Sequence, residues 1–326
     1  MDWWVWGAFI AFLAFVIVVD LFLFHRGEGE VSLAEAGWWS AGWLVLGLGF
    51  ALVILPWLGP EPAGEYLAGY AIERALSIDN VFVFAVLIGY FAVPAEDQHR
   101  VLLWGVVAAL VLRAGFIAGG LALLDAFHWM IYVFGALLLI TGIRMATHRT
   151  ENVHPERNPV LRAVRRFVPT TDGYRGRRLV VREGGRWMAT PMLAVLLAVA
   201  VTDVVFAVDS IPAVFAVTQD PFIVFASNAM AVLGLRALYF LLAGMMSRFR
   251  HLQAGLAIVL VLVGAKMLLT DVVHVPIWIS LATICGVIGG SMLLSLAPRR
   301  TSAPQLEEGT PAATRRASLP APRRDV

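Results

Sequence analysis

The chain has 326 residues, is 60% hydrophobic and only 15% charged, and carries a formal net charge of +2. Apolar windows near the roughly 20 residues that cross a bilayer recur from Trp3 to Ala297, which makes this a polytopic membrane protein. A soluble reading would expose apolar faces far beyond tolerance, and the small positive excess sits in loops and tail, where it speaks to orientation and not to nucleic acid.

Nine spans are predicted: 3–24, 38–58, 66–92, 100–124, 127–147, 190–217, 222–247, 251–271 and 274–297. The first begins Met-Asp-Trp-Trp, has no basic n-region and ends at His25-Arg26 without a small-residue cleavage signature, so a retained helix is expected. Trp3, Trp4, Trp6, Trp38 and Trp39 suit interfacial belts. Segment 148–189 holds ten arginines against four acids, too polar to span, and is expected to be a basic cytoplasmic loop against anionic lipid. The tail 298–326 is Pro/Ala/Arg/Thr-rich and is expected to be disordered, leaving 1–297 as the membrane domain. Arg26, Arg100, the 148–189 loop, Arg248 with Arg250, and Arg299 with Arg300 fall on one side, while the connectors 59–65, 125–128, 218–220 and 271–274 lack Lys and Arg. The positive-inside rule then puts the N-terminus outside and the C-terminus inside.

Four acids interrupt this apolar pattern. Glu73 and Asp79 lie six residues apart in one span, and Asp203 and Asp209 repeat that spacing in another. A carboxylate at the centre of a membrane helix costs about 2.5–3.5 kcal/mol on insertion scales, so a matched set of four implies a function. The match extends further: Ala109-Leu-Val-Leu-Arg113 resembles Val232-Leu-Gly-Leu-Arg236, and Thr141-Gly-Ile-Arg144-Met145 resembles Val263-Gly-Ala-Lys266-Met267. Residues 66–147 and 190–271 thus read as two three-helix repeats. An odd helix number inserts consecutive copies in opposite orientation, as in secondary transporters with a midplane site.

Residues six apart on a helix lie about 120° apart in azimuth, so the two acids of a motif do not share a face. Glu73, Ser77 and Asn80 do share one, as do Asp203, Ala207 and Ser210. A helix broken beside Pro212 would bring Asp209 to its partners and free backbone carbonyls as ligands. The predicted metal ligands are Glu73, Asp79, Asn80, Asp203, Asp209 and Ser210, with Asp20, Thr202 and Asn228 as additional candidates. Carboxylate, amide and hydroxyl oxygens favour Mn²⁺, Mg²⁺ or Ca²⁺ over Zn²⁺ or Cu⁺, and crowded acids suit exchange of metal for protons. The competing structural reading has Arg74, Arg113, Arg144, Arg236 and Lys266 neutralising the acids as ion pairs, with Arg144 snorkelling at a helix end. Asp125/His128 and Asp271/His274 read as capping or surface groups, with an outer cation vestibule as the alternative. Cys285 is the one cysteine, so disulfides and Cys-based zinc sites are not expected.

Glu73-Arg-Ala-Leu-Ser-Ile-Asp-Asn-Val-Phe-Val-Phe84 and Asp203-x5-Asp209-Ser-Ile-Pro-Ala-Val-Phe215 resemble the two signatures of the TerC/Alx family of integral membrane proteins. Asp220-Pro-Phe-Ile-Val-Phe-Ala-Ser-Asn228, Leu233-Gly-Leu-Arg-Ala-Leu-Tyr-Phe-Leu-Leu242 and Asp20-Leu-Phe-Leu-Phe-His-Arg26 extend the resemblance over about residues 10–297. It implies a bacterial inner-membrane protein linked to manganese homeostasis and proposed to export Mn²⁺. The family name comes from a tellurium-resistance phenotype, but tellurite is an anion and four buried acids make a poor anion site. The leading expectation is therefore an all-α divalent-cation transporter working by alternating access, with Mn²⁺ as transported ligand, protons and the lipid bilayer as partners, and no resident cofactor. The alternative is a non-transporting scaffold or metallochaperone in metal, tellurium or envelope stress resistance. No His-Glu-x-x-His, Gly-x-Ser-x-Gly or Walker sequence occurs, so neither an enzyme nor an ATP-driven pump is expected.

Overall fold

The structure is a computed structural model describing residues 2–24, 32–147, 170–171, 173–176, 178–183, 186–243, 252–273 and 275–296. The 298–326 tail, His274 and most of the basic loop lie outside the described residues. Ten helical segments make up the described membrane part: α1 (Trp3–Phe24), α2 (Leu33–Leu58), α3 (Pro60–Tyr90), α4 (Ala95–Ala126), α5 (Met130–Thr147), α6 (Pro191–Phe215), α7 (Pro221–Leu233), α8 (Leu235–Ala243), α9 (Leu252–Leu268) and α10 (Ile277–Leu296). Helices α7 and α8 form one span interrupted at Gly234, so the nine predicted spans are all helical. Seven spans are long and apolar enough to cross a membrane by length and composition. The exceptions are physically instructive: α3 carries Glu61, Glu65, Glu73, Arg74 and Asp79, and α9 has only 17 residues.

Local chemistry sets the boundaries. Helix α2 starts five residues before the predicted 38 because Ser32 caps it, its hydroxyl accepting the Glu35 N–H at 3.2 Å. Ser-x-x-Glu is a capping-box pattern. Gly59 at φ 96° turns the chain into Pro60, which opens α3. Asp220 caps α7 by accepting from the Phe222 and Ile223 N–H groups, with Pro221 at the first helical position. The basic loop is not purely irregular: β1 (Val180–Glu183) pairs antiparallel with β2 (Arg186–Ala189), Val180 opposite Ala189, around the Gly184-Gly185 hairpin signal. That adds a small hairpin to the expected all-α chain. The same loop docks on the end of α3, where the Tyr174 hydroxyl donates to the Phe91 carbonyl at 2.7 Å. Burial, reinforced by the Asp97 charge, raises the Tyr174 phenol, so it stays a donor.

Helix α7 is buried along its whole length after Pro221 apart from Phe225, while α1, α2, α5 and α10 turn large apolar side chains such as Leu52 and Leu293 outward. A cluster of aromatic rings, Trp6, Phe9, Phe50, Tyr66 and Phe222, locks α1 and α2 onto α3 and α7. Contacts sort the helix ends into two faces. Trp4 meets Trp57, Glu65 meets Thr218 and Tyr132 meets Asp271 at one, while Tyr174 meets Phe91 and Gln98 meets Tyr239 at the other.

The closest helix crossing joins α5 and α9. A Cβ on Gly264 would come within 2.8 Å of the Gly135 carbonyl and the Leu139 nitrogen, and one on Gly142 within 2.9 Å of the Ala257 carbonyl and the Val261 nitrogen. Small residues let backbones approach in this way in membranes. The contact is reciprocal: Gly135 meets Gly264 and Gly142 meets Ala257, seven residues apart on both helices and antiparallel. Gly264→Val should therefore force the helices apart and destabilise the protein by about 1–3 kcal/mol. Thermal unfolding in detergent checks this, and an unchanged midpoint would contradict the crossing.

Candidate cation-binding site

Helix α3 carries Glu73, Ser77 and Asn80 on one face, all buried. Helix α6 brings Asp203 and Ser210 in the same i, i+7 register, with Thr202 beside them, and α7 contributes Asn228; these too are buried. Between α3 and α6 lies Arg113 of α4, fully enclosed. Its Nε and Nη2 donate to Oδ2 and Oδ1 of Asp203, each at 2.9 Å, a side-on fork. Its Nη1 donates to Oε1 of Glu73 and lies 3.4 Å from the Ser210 hydroxyl. One guanidinium thus ties three spans together through two carboxylates that are themselves 0% exposed.

The ion pair does not exhaust the polar atoms. Oε2 of Glu73, the hydroxyls of Ser77 and Thr202, and Nδ2 of Asn80 and Asn228 are buried without a hydrogen-bond partner among the described residues. An unpaired buried polar group costs about 1–3 kcal/mol, so these five atoms on α3, α6 and α7 lack a partner that burial would normally demand. Among the described residues no three Asp, Glu, His or Cys side chains gather as a metal cluster. The donor set is two carboxylates supplemented by hydroxyls and amides, all hard ligands.

The predicted ligands are therefore divided. Glu73, Asp203 and Ser210 meet at Arg113, with Asn80, Thr202 and Asn228 buried on the neighbouring helix faces. Asp209, only half-buried, accepts instead from the Thr141 hydroxyl of α5 at 3.1 Å. The Asp79 side chain lies outside the described residues. Asp20 pairs with Arg236 of α8 at 2.6 Å, and the same guanidinium nitrogen donates to the Asp20 carbonyl at 2.7 Å.

The expected break beside Pro212 is absent: α6 runs unbroken through Asp209 to Phe215. Pro212 lies inside α6 with its last turn still to follow. The missing proline N–H removes one hydrogen bond, to the Val208 carbonyl, and the helix continues to close with the Ala216 N–H donating to the Pro212 carbonyl. The interruption falls at Gly234 instead. Arg74 of α3 donates to the Ala231 carbonyl at the end of α7 at 3.1 Å, its guanidinium filling the space a Gly234 side chain would need. A cation at a helix C-terminus is favourable, so Arg74 stabilises the half-helix end. Sequence reasoning missed this role and that of Thr141, although Thr141 stood inside a repeat match. Of the remaining basic groups, Arg144 is exposed and Lys266 donates to Ser280 at 3.1 Å. Asp271 accepts from Tyr132, and Asp125 and His128 are exposed at a helix end.

Among the described residues, nine helical spans with a buried arginine–carboxylate cluster between α3, α4 and α6 define a multi-pass integral membrane protein with a polar centre. The chain belongs to the TerC family: the sequence pattern described as "Integral membrane protein TerC family" matches residues 58–303. A Myxococcus xanthus protein described as "Uncharacterized membrane protein STKORF319" is 46% identical over 295 residues, covering 90% of this chain and 92% of its own length. Proteins described as "Putative membrane-bound redox modulator Alx" are 42% identical over 301 residues in Photorhabdus laumondii (89% and 94% covered) and 43% identical over 292 residues in Escherichia coli K12 (87% and 91%). No solved structure matches the chain significantly.

The Asp20–Arg236 pair offers a clean structural check. Arg236→Met leaves a buried carboxylate without its cation and should cost about 3–5 kcal/mol, most of it recovered when Asp20→Leu is added. Denaturant unfolding of the single and double variants measures both; a double variant no more stable than the single would remove the pair as the cause.

Proposed function

We propose that this protein carries a hard divalent cation, Mn²⁺ foremost, across the bacterial inner membrane. Glu73 and Asp203 are the charged ligands, and Ser77, Asn80, Thr202, Ser210 and Asn228 supply neutral ones. The observation that carries this reading is the convergence of two fully buried carboxylates from different spans, with Oε2 of Glu73 and the hydroxyls of Ser77 and Thr202 without partners among the described residues. Intramembrane acids facing a bundle interior typically lie on ion paths. With Arg113 the two carboxylates leave one net negative charge, and protons exchanging with metal on these oxygens would give antiport.

The reciprocal α5–α9 crossing supports two units of opposite orientation, because the aligned positions Gly142 and Gly264 each meet the other unit's partner. The positive-inside rule orients the N-terminus outward and the arginine-rich loop to the cytoplasm. The relatives' description as redox modulators offers a second reading. A single cysteine provides no dithiol within one chain, so in this protein such modulation would run through the cation carried. The protein acts as a carrier and not as an enzyme.

Purified protein in proteoliposomes should move Mn²⁺ down its gradient, with a response to a pH difference. Asp203→Asn and Glu73→Gln should each lower that flux at least ~tenfold while the protein remains folded, since each removes a charged ligand of the site. Wild-type vesicles that pass no Mn²⁺, with or without a pH difference, would end the transport reading and leave the scaffold or metallochaperone role.

A further inference from the structure

We propose that Arg113 is a tethered counter-cation of the transport site, its guanidinium and the substrate cation occupying Glu73 and Asp203 by turns. This rests on the transport reading and specifies how the site is emptied and refilled. Arg113 engages three of the four carboxylate oxygens that a divalent ion would need, both of Asp203 and one of Glu73. A hard cation takes six or more oxygen ligands, which this cluster cannot provide while the fork is closed. Binding the substrate therefore requires Arg113 to withdraw. The fourth oxygen, Oε2 of Glu73, and the Ser77 hydroxyl have no partner among the described residues, so a first foothold for an incoming ion exists before the fork opens.

Charge explains why such a device is useful. Two bare carboxylates at this depth would be prohibitive, and the empty carrier must still change conformation. An arginine cannot release its proton in proteins, so Arg113 offsets one of the two carboxylate charges of the empty site at every pH and leaves only when a stronger charge replaces it. The repeat makes the assignment specific. Arg236, aligned with Arg113, is held by Asp20 and not by the two site carboxylates. A single resident cation thus serves two ligand-bearing helices.

The tests use full-length protein in detergent and in proteoliposomes, with Mn²⁺ as probe. Arg113→Gln should bind Mn²⁺ about tenfold more tightly by calorimetry, because a competing unit charge near 4 Å has been removed. Its net flux should fall about tenfold while Mn²⁺/Mn²⁺ exchange stays within about twofold, since only the return of an empty, uncompensated site is slowed. Arg113→Lys keeps the charge but loses the fork, and should tighten binding about threefold. In the wild type, Mn²⁺ should shift an infrared band of isotope-labelled arginine that is absent from Arg113→Lys.

Folded variants that bind Mn²⁺ no more tightly than wild type, or an arginine band unmoved by saturating Mn²⁺, would overturn the proposal while leaving transport itself intact. If Arg113→Gln does not fold, the lysine variant and the wild-type spectrum decide. Wild-type protein that neither binds nor moves Mn²⁺ overturns both readings together.

Discussion

Everything in the middle of this protein follows from one electrostatic constraint: a charge in hydrocarbon must be met by an opposite charge or a dense set of hydrogen bonds. Glu73, Asp203 and Arg113 are each fully enclosed, and each is tolerable only because the others are there. The three come from α3, α6 and α4, so the ion cluster fixes how these spans are rotated about their own axes. Once Asp203 takes the side-on fork, Ser210 one i, i+7 step further on α6 is drawn to the same guanidinium, and Thr202 is carried inward beside it. Asp209 is rotated off that face and finds Thr141 on α5. The six-residue spacing that looks like one motif is, in three dimensions, two acids with different neighbours.

Packing then does what charge cannot. Lipid provides no hydrophobic drive between helices, so α5 and α9 hold together through close backbone approach at Gly135, Gly142 and Gly264. Arg74 belongs to a third kind of solution. It meets no carboxylate among the described residues but sits at the open end of a half-helix, where backbone carbonyls carry partial negative charge. The sequence position aligned with Gly234 is Val111, and α4 continues through it. Glycine at 234 makes room for Arg74; valine at 111 has no such guest.

The spans were legible because hydropathy and length report directly on the bilayer, but their ends were not. Ser32 caps α2 ahead of its apolar run, and α3 and α4 also start early, at Pro60 and Ala95, through polar first turns that hydropathy leaves out. Identification of Glu73 and Asp203 as inward-facing acids was also within reach, since isolated charges in apolar helices have few other places to go. Which cation each would choose was not legible. Arg113 and Arg236 occupy aligned positions in similar local sequence, yet one pairs with Glu73 and Asp203 and the other with Asp20, forty or more residues away in every case. Pairing of this kind is decided by helix rotation and depth, which single-sequence periodicity does not encode. Pro212 misled because an interior proline removes only one hydrogen bond, and in a membrane helix packed among neighbours that loss does not end the helix.

The proposed two-unit carrier would be near-symmetric at its centre but for the arginine. In the two-unit reading, Glu73 and Asp203 are equivalents facing one another, and a cation between them could be held equally by both. A guanidinium cannot be held equally: it forks onto Asp203 and reaches Glu73 with its remaining nitrogen. Away from that cluster, α1 provides Asp20 for Arg236, the arginine at the position aligned with Arg113. Helix α1 is thus more than a hydrophobic addition. It supplies the carboxylate that meets Arg236, leaving the central carboxylates to Arg113.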